Sequence, residues 1–158
     1  MTAIVLADAA WGIGKDGEQQ VYIPADLKRF QALTTGGTVI LGRKTLATFP
    51  GGRPLKNRRN LILSARPGFA VEGAEVFGSL EALLAAAPQA SFVIGGSSVY
   101  QQLLPQCDTA YVTRLEAALP ADCRFPDLDA DENWALAETE GPFAHEGLGY
   151  SYLTYRRA

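Results

Sequence analysis

Thr38-Val39-Ile40-Leu41-Gly42-Arg43-Lys44-Thr45-Leu46-Ala47-Thr48-Phe49 passes from an unbroken apolar run into a short helical segment, and Pro50-Gly51-Gly52-Arg53-Pro54 stops it. An apolar run without alternation reads as a strand covered on both faces, with the following helix supplying cover. The same unit recurs. Asn60-Leu61-Ile62-Leu63-Ser64 ends at Arg66-Pro67-Gly68, and a short strand over 74–77 leads to Ser79, an N-cap for a helix that ends by Pro88. Ser91-Phe92-Val93-Ile94 meets Gly95-Gly96 and then a helix over 97–104. Upstream, residues 3–9 read as a buried strand, followed by a glycine-rich loop from Trp11 to Gly17 and a helix over 24–34. Repeated β-then-α units place the chain in the α/β class, with parallel strands between helical layers. The C-terminal third differs: 109–115 is a strand, and 134–140 and 150–156 alternate with period two around a glycine-rich loop, predicting an antiparallel pair.

The chain has 158 residues, 47% hydrophobic and 20% charged, with a net charge of −3. That length suits a single domain spanning 1–158, and the charge balance argues against disorder and against a nucleic-acid footprint. Cys107 and Cys123 are too few and too far apart for a disulfide scaffold or zinc cluster, and His145 is the only histidine, so no metal site is expected. Met1-Thr2 leads straight into a strand, without a basic leader, and no apolar stretch approaches the ~18 residues of a membrane helix. The expectation is a cytoplasmic monomer that does not engage membranes.

Ile23-Pro24-Ala25-Asp26-Leu27 opens the first helix, with Pro24 at its first position. Its apolar stripe is Ile23, Leu27, Phe30 and Leu33, with Lys28, Arg29 and Gln31 on the other side. Asp26 lies four residues before Phe30 and seven before Leu33, which puts a carboxylate on or beside the buried face, where it needs a partner or a purpose. A first-turn acid can simply complement the helix dipole, so its role depends on what surrounds it.

Two familiar patterns fail on context. Gly12-Ile13-Gly14-Lys15-Asp16-Gly17 matches G-x-G-x-x-G and follows a strand, but no helix begins at its last glycine and residues 34–38 hold no acid. Gly37 to Thr45 approaches a phosphate-binding P-loop, but Thr38 to Leu41 between its glycines is strand sequence. Three strand ends remain phosphate-friendly: Gly42 with Arg43, Lys44 and Thr45; Leu63 with Ser64, Ala65 and Arg66; and Gly95-Gly96-Ser97-Ser98. Together they describe a dinucleotide site, and two arginines and a lysine favour NADPH over NADH.

With these residues assembled, the chain resembles the dihydrofolate reductase family nearly end to end. The matching stretches are Gly12-Ile13-Gly14, Ile23 to Leu27, Val39 to Thr45, Arg53-Pro54-Leu55 through Arg58, Val93-Ile94-Gly95-Gly96 with Val99-Tyr100, Tyr111-Val112-Thr113, and Phe125-Pro126. The resemblance implies a mostly parallel eight-stranded sheet with flanking helices and an antiparallel C-terminal strand. It implies NADPH-dependent reduction of 7,8-dihydrofolate, with dihydrofolate and antifolates as small-molecule partners. Asp26, partnered by the Thr113 hydroxyl, is then the one ionisable group of the pterin pocket. Val5, Leu6, Leu27, Phe30, Leu55 and Ile94 line the substrate, and Arg58 grips the α-carboxylate of its glutamate tail. Ala7, Ile13, Gly14, Gly17, the three strand-end corners, Ile94, Val99 and Tyr100 hold the cofactor, and Gly12 through Glu18 form a closing loop.

The chain departs from the family pattern ahead of the first helix. A proline-tryptophan pair usual in the family is replaced by Gln20-Val21, while Tyr22 offers a hydroxyl and bulk in a phase that points elsewhere. Ala65 and Gly78 leave fewer polar groups on the adenosine side, which puts more of the 2′-phosphate recognition on Arg43, Ser64 and Arg66. Two other readings fit the architecture. One is the related reductase of riboflavin synthesis, opposed by Asp26 and Arg58; the other is an NADPH-binding module without turnover.

Overall fold

The computed structural model describes every residue from Met1 to Ala158. In chain order the elements are β1 (Thr2–Ala7), β2 (Gly12–Gly14), α1 (Pro24–Thr34), β3 (Thr38–Gly42), α2 (Arg43–Ala47), β4 (Arg59–Leu63), β5 (Ala74–Phe77), α3 (Leu80–Ala86), β6 (Phe92–Gly95), α4 (Ser97–Leu103), β7 (Thr109–Leu115), β8 (Cys123–Arg124), β9 (Trp134–His145) and β10 (Leu148–Arg157). Eight strands form one sheet in the order β5-β4-β3-β6-β1-β7-β10-β9. The six strands from β5 to β7 run parallel, while β10 is antiparallel to β7 and β9 to β10. This is the mixed α/β sheet that the sequence predicts, its parallel strands from the unbroken apolar runs and its antiparallel C-terminal pair from the period-two alternation.

β3 shows why those runs do not alternate. Val39 and Leu41 pack with Leu46 and Ile62 on one face, and Ile40 packs with Leu61 and Val93 on the other. All of Val39, Ile40 and Leu41 have zero exposure. Full burial of such a side chain contributes about 1.5–3 kcal/mol, so both faces of the central strands drive the fold. Trp11 is 5% exposed and stacks on Phe125 in the larger core cluster.

The boundaries depart from expectation where side chains intervene. β1 ends at Ala7 rather than residue 9, because the Asp8 carboxylate accepts from the backbone N–H groups of Ala10 and Gly12, both at 2.8 Å. α2 ends at Ala47 rather than 49, where the Thr48 hydroxyl donates to the Thr45 carbonyl at 2.6 Å. The glycine-rich segment expected as a C-terminal loop is mostly strand. β9 and β10 continue to His145 and Leu148 and close through Glu146-Gly147, with φ of 49° and 81°. Two left-handed residues match the right-handed twist of the flanking strands. His145 therefore ends a strand, with Nε2 at 3.9 Å from a Glu146 carboxylate oxygen. The pairing of β2 with β8 is a second small sheet that local sequence does not announce. No helix is long and apolar enough to cross a membrane.

Candidate active site

A cavity of about 870 Å³ opens across the carboxyl ends of β1, β3, β4, β6 and β7, with α1 as one wall and the segment following β2 as another. Open α/β sheets bind ligands at this edge, and the volume suits small molecules. The two ends of the cavity differ in chemistry.

α1 and β7 build the acidic end. Pro24 starts α1 with the Asp26 and Leu27 N–H groups both bonded to the Ile23 carbonyl, which fixes the first turn. Asp26 Oδ1 accepts from the Thr113 hydroxyl at 2.5 Å, and Thr113 is 2% exposed on β7. Burial raises the Asp26 carboxyl above its ordinary value, while the Thr113 hydrogen bond and the Arg29 charge work in the opposite direction. Leu6, Ile23, Leu27, Phe30 and Ile94 surround this end with apolar surface. A proton-binding group in such a setting can hold or release its proton against a bound heterocycle.

Glycines and cations build the other end. A Cβ added at Gly95 would meet Thr45 Oγ1 at 3.3 Å, at Gly96 the same atom at 3.2 Å, and at Gly42 the Val99 Cγ2 at 3.1 Å. Gly95 has φ +138°, which other residues rarely adopt. Only glycine fits this closely packed corner, so the cavity wall there is backbone. Arg43, Lys44, Ser64 and Arg66 line the same end, with the Ser64 hydroxyl accepting from the Arg66 N–H at 3.3 Å. Tyr100 pins α4 beneath the corner by donating to the Ile4 carbonyl at 2.6 Å, and burial pushes its phenol well up.

The flank between the ends is β2 with the segment after it, where Ile13, Gly14, Gly17, Glu18 and Gln19 line the cavity. Gln20 ties this segment down: its Nε2 donates to Asp8 Oδ2 at 3.1 Å and to the Pro120 carbonyl at 2.9 Å. Asp8 is 1% exposed; burial tends to raise it, but bonds from Leu119, Gly12, Gln20 and Ala10 hold its carboxyl below the usual range. Val21 packs against the cluster of Leu6, Ile23, Leu115 and Tyr150.

Most of the sequence-predicted site residues meet on this one wall. Val5, Leu6, Ile13, Gly14, Gly17, Asp26, Leu27, Phe30, Gly42 to Thr45, Leu63 to Arg66, Ile94 to Tyr100 and Thr113 all line the cavity. Three do not. Ala7 has zero exposure within the main core. Leu55 packs against the cluster of Val39, Leu41, Leu46 and Ile62, with its N–H bonded to Asn60. Arg58 lies at the far end of α1, donating to Thr34 Oγ1 at 3.0 Å and the Lys56 carbonyl at 2.9 Å.

Arg29 corrects the helical reading. Placed with the outward residues by the sequence pattern, it lines the cavity beside Asp26, with its guanidinium over the Tyr152 and Tyr111 rings. Its spacing of three from Asp26 was the available signal. Tyr22 also lines the cavity although 63% exposed, contrary to its expected direction. Ile4, Leu33, Thr48, Phe49, Gly78, Ser79, Leu80, Gln102 and Cys123 also line the cavity, beyond the expected site residues. Of these, Leu33 lies on the α1 stripe; the others are brought to the cavity only by the tertiary arrangement of β1, α2, α3, α4 and β8.

One carboxylate at an apolar end and a glycine-and-cation corner at the other, across strand carboxyl ends, define a nucleotide-dependent enzyme of the α/β class. Residues 1–157 match the family model described as "Dihydrofolate reductase". The chain is 36% identical to a dihydrofolate reductase of Bacillus subtilis, covering 94% of this chain and 88% of that protein. Against the dihydrofolate reductase of Mycobacterium tuberculosis the identity is 37%, over 100% of this chain and 99% of the relative. The solved structure of dihydrofolate reductase from Enterococcus faecalis complexed with NADP(H) and RAB-propyl superposes with a TM-score of 0.86 at 35% identity, covering 99% of this chain and 95% of that one. This chain belongs to the dihydrofolate reductase family.

Proposed function

We infer that the protein catalyses the NADPH-dependent reduction of 7,8-dihydrofolate to 5,6,7,8-tetrahydrofolate. The observation that carries this is Asp26, a half-buried carboxylate bonded to Thr113 at the apolar end of a cavity whose other end is lined by glycines and cations. NADPH, when held at the Gly95-Gly96 end, would supply the hydride that reduces the pterin. The chain's own residues do the rest. Asp26 accepts hydrogen bonds from the pterin amino group and ring nitrogen and promotes protonation at N5, for which a carboxyl raised by burial is suited. Leu6, Leu27, Phe30 and Ile94 exclude water from that end. The backbone of Gly95-Gly96, which lines the cavity, fits a pyrophosphate, and Arg43, Ser64 and Arg66 fit the 2′-phosphate. Arg58, tethered to the end of α1, receives the glutamate-tail carboxylate just beyond the cavity wall.

The reading extends to the whole chain as one domain, working as a cytoplasmic monomer. One continuous eight-stranded sheet supports the first point, Glu138 and Glu140 on the exposed outer strand β9 discourage edge pairing, and both cysteines are free. Loss of 340 nm absorbance with NADPH and dihydrofolate tests the activity. Dihydrofolate-dependent turnover is expected, and NADPH binding without turnover would overturn the reading.

A further inference from the structure

We propose that Arg29 is a positioning residue of the reaction: held by two tyrosine rings, its guanidinium fixes a positive charge one helical turn from Asp26, on the cavity wall that the carboxylate shares. The proposal deepens the reductase reading and rests on it.

The placement is built from three elements. Asp26 and Arg29 are three residues apart on α1, where such pairs share a face. Tyr111 and Thr113 are two apart on β7 and so share a face of the sheet. Tyr152 on β10 stands directly opposite Thr113 in register. The strand residue that binds Asp26 is thus the register partner of the ring that carries Arg29. The guanidinium carbon lies 4.2 Å from the Tyr152 ring centroid and 5.6 Å from that of Tyr111, within the range of a cation over a π face. No carboxylate pairs with Arg29, so its charge is left to act on the cavity that it lines.

The other titratable groups that face this wall come from the neighbouring elements. β7 contributes the Thr113 hydroxyl and Tyr111, β10 contributes Tyr152 with Tyr150 beside it, β9 contributes Glu140 as the register partner of Tyr152, the segment before α1 contributes Tyr22, and the segment after β2 contributes Glu18 on the cavity wall. Burial, with Tyr150 and Asp26 nearby, pushes the Tyr152 phenol up to about 12. Lys28, next along α1, is exposed. Arg29 is the one charge that acts on the Asp26 carboxyl, lowering it against the effect of burial.

A purely structural role, stapling α1 to the sheet through the rings, predicts a different outcome and sets the test. The Asp26 carboxyl is titrated by carbon-13 NMR in the ligand-free protein, for wild type, Arg29→Met and Arg29→Lys. The pH profile of single-turnover hydride transfer is measured on the same proteins. Arg29→Met is expected to move the Asp26 titration upward by about 0.5–1 unit and to carry the alkaline limb of the rate profile with it. Arg29→Lys, which keeps the charge, is expected to restore most of the wild-type titration. A lower Tm in the Met variant with an unmoved titration would overturn the proposal, as would an equal shift in both variants. If Arg29→Met does not fold, Arg29→Gln gives the same neutralisation with a polar side chain. Failure of the reductase reading shows separately, as wild-type protein that titrates as expected yet does not oxidise NADPH with dihydrofolate.

Discussion

The two ends of the cavity solve recognition in opposite ways. At the α1 end one carboxylate stands among apolar side chains, and its partners, Thr113 and Arg29, can be named individually. At the Gly95-Gly96 end the wall is backbone, short of side chains by necessity, with several cations at its rim. Removing a solitary buried charge changes chemistry, while removing one of several rim charges changes affinity by a fraction. The ends therefore differ in which kinetic constant a substitution moves, and each expectation below can break that contrast or sharpen it.

The largest effect is expected at the acid. Asp26→Asn should lower kcat near neutral pH by about 10²- to 10⁴-fold while leaving NADPH affinity unchanged, measured by stopped-flow hydride transfer and by cofactor titration. Stability should move the other way. Between the unfolded carboxyl value near ~4 and the raised folded value, the folded state keeps a proton that the unfolded chain has released. Stability therefore falls as pH rises through that window. The Asn variant lacks this slope, so its Tm should exceed that of wild type at neutral pH and the gap should close towards pH 4. An active Asn variant would remove the acid from the reaction.

At the other end, Gly95→Ala should act through the backbone. A side chain at φ +138° with Thr45 Oγ1 at 3.3 Å is strained by about 1–3 kcal/mol. Both NADPH affinity and Tm should fall, with the chemical step spared once cofactor saturates. Smaller again, Arg43→Gln and Arg66→Gln should each weaken NADPH binding by about 10-fold, with little effect on NADH and less at high salt. A loss of kcat from either arginine would erase the distinction between the ends.

How far these ends could be read from sequence follows from how local their causes are. β3, β4 and β6 were legible because an unbroken apolar run is the direct consequence of burial on both faces, as Val39, Ile40 and Leu41 show. The glycine corner was legible because each strand end carries its own residues. Asp26 was legible as an acid out of place on an apolar stripe, although its significance came from the family resemblance. Arg29 was misplaced because a helical wheel treats arginine as outward, and only Tyr111 and Tyr152, eighty or more residues away, make an inward position favourable. The segment from Asp8 to Gln20 was least legible. Its path is set by Asp8, by pairing of β2 with β8, and by the Asp16 N–H bonded to Asp122 at 2.9 Å, all contacts across more than a hundred residues or within a turn that composition does not mark.

That segment carries the smallest expected effect and bears on whether the two ends are independent. Gln20 donates to Asp8 and Pro120, yet its own Oε1 is buried without a partner. Losing the hydrogen bond to the Asp8 carboxylate costs about 1.5–3 kcal/mol, the exposed one to Pro120 adds little, and relieving an unsatisfied buried acceptor returns about 1–3 kcal/mol. The two nearly cancel, so Gln20→Ala should change stability by less than about 1 kcal/mol. Its mark should be kinetic and local. Amide exchange over residues 14–20 should quicken once the tether to Asp8 is gone, and since Gly14, Gly17 and Gln19 touch the cavity between its ends, KM for both ligands should rise modestly together. A large loss of stability would show that the Gln20 carbonyl has a partner such as an ordered water. A rise in KM for one ligand alone would show that the flank serves only one end.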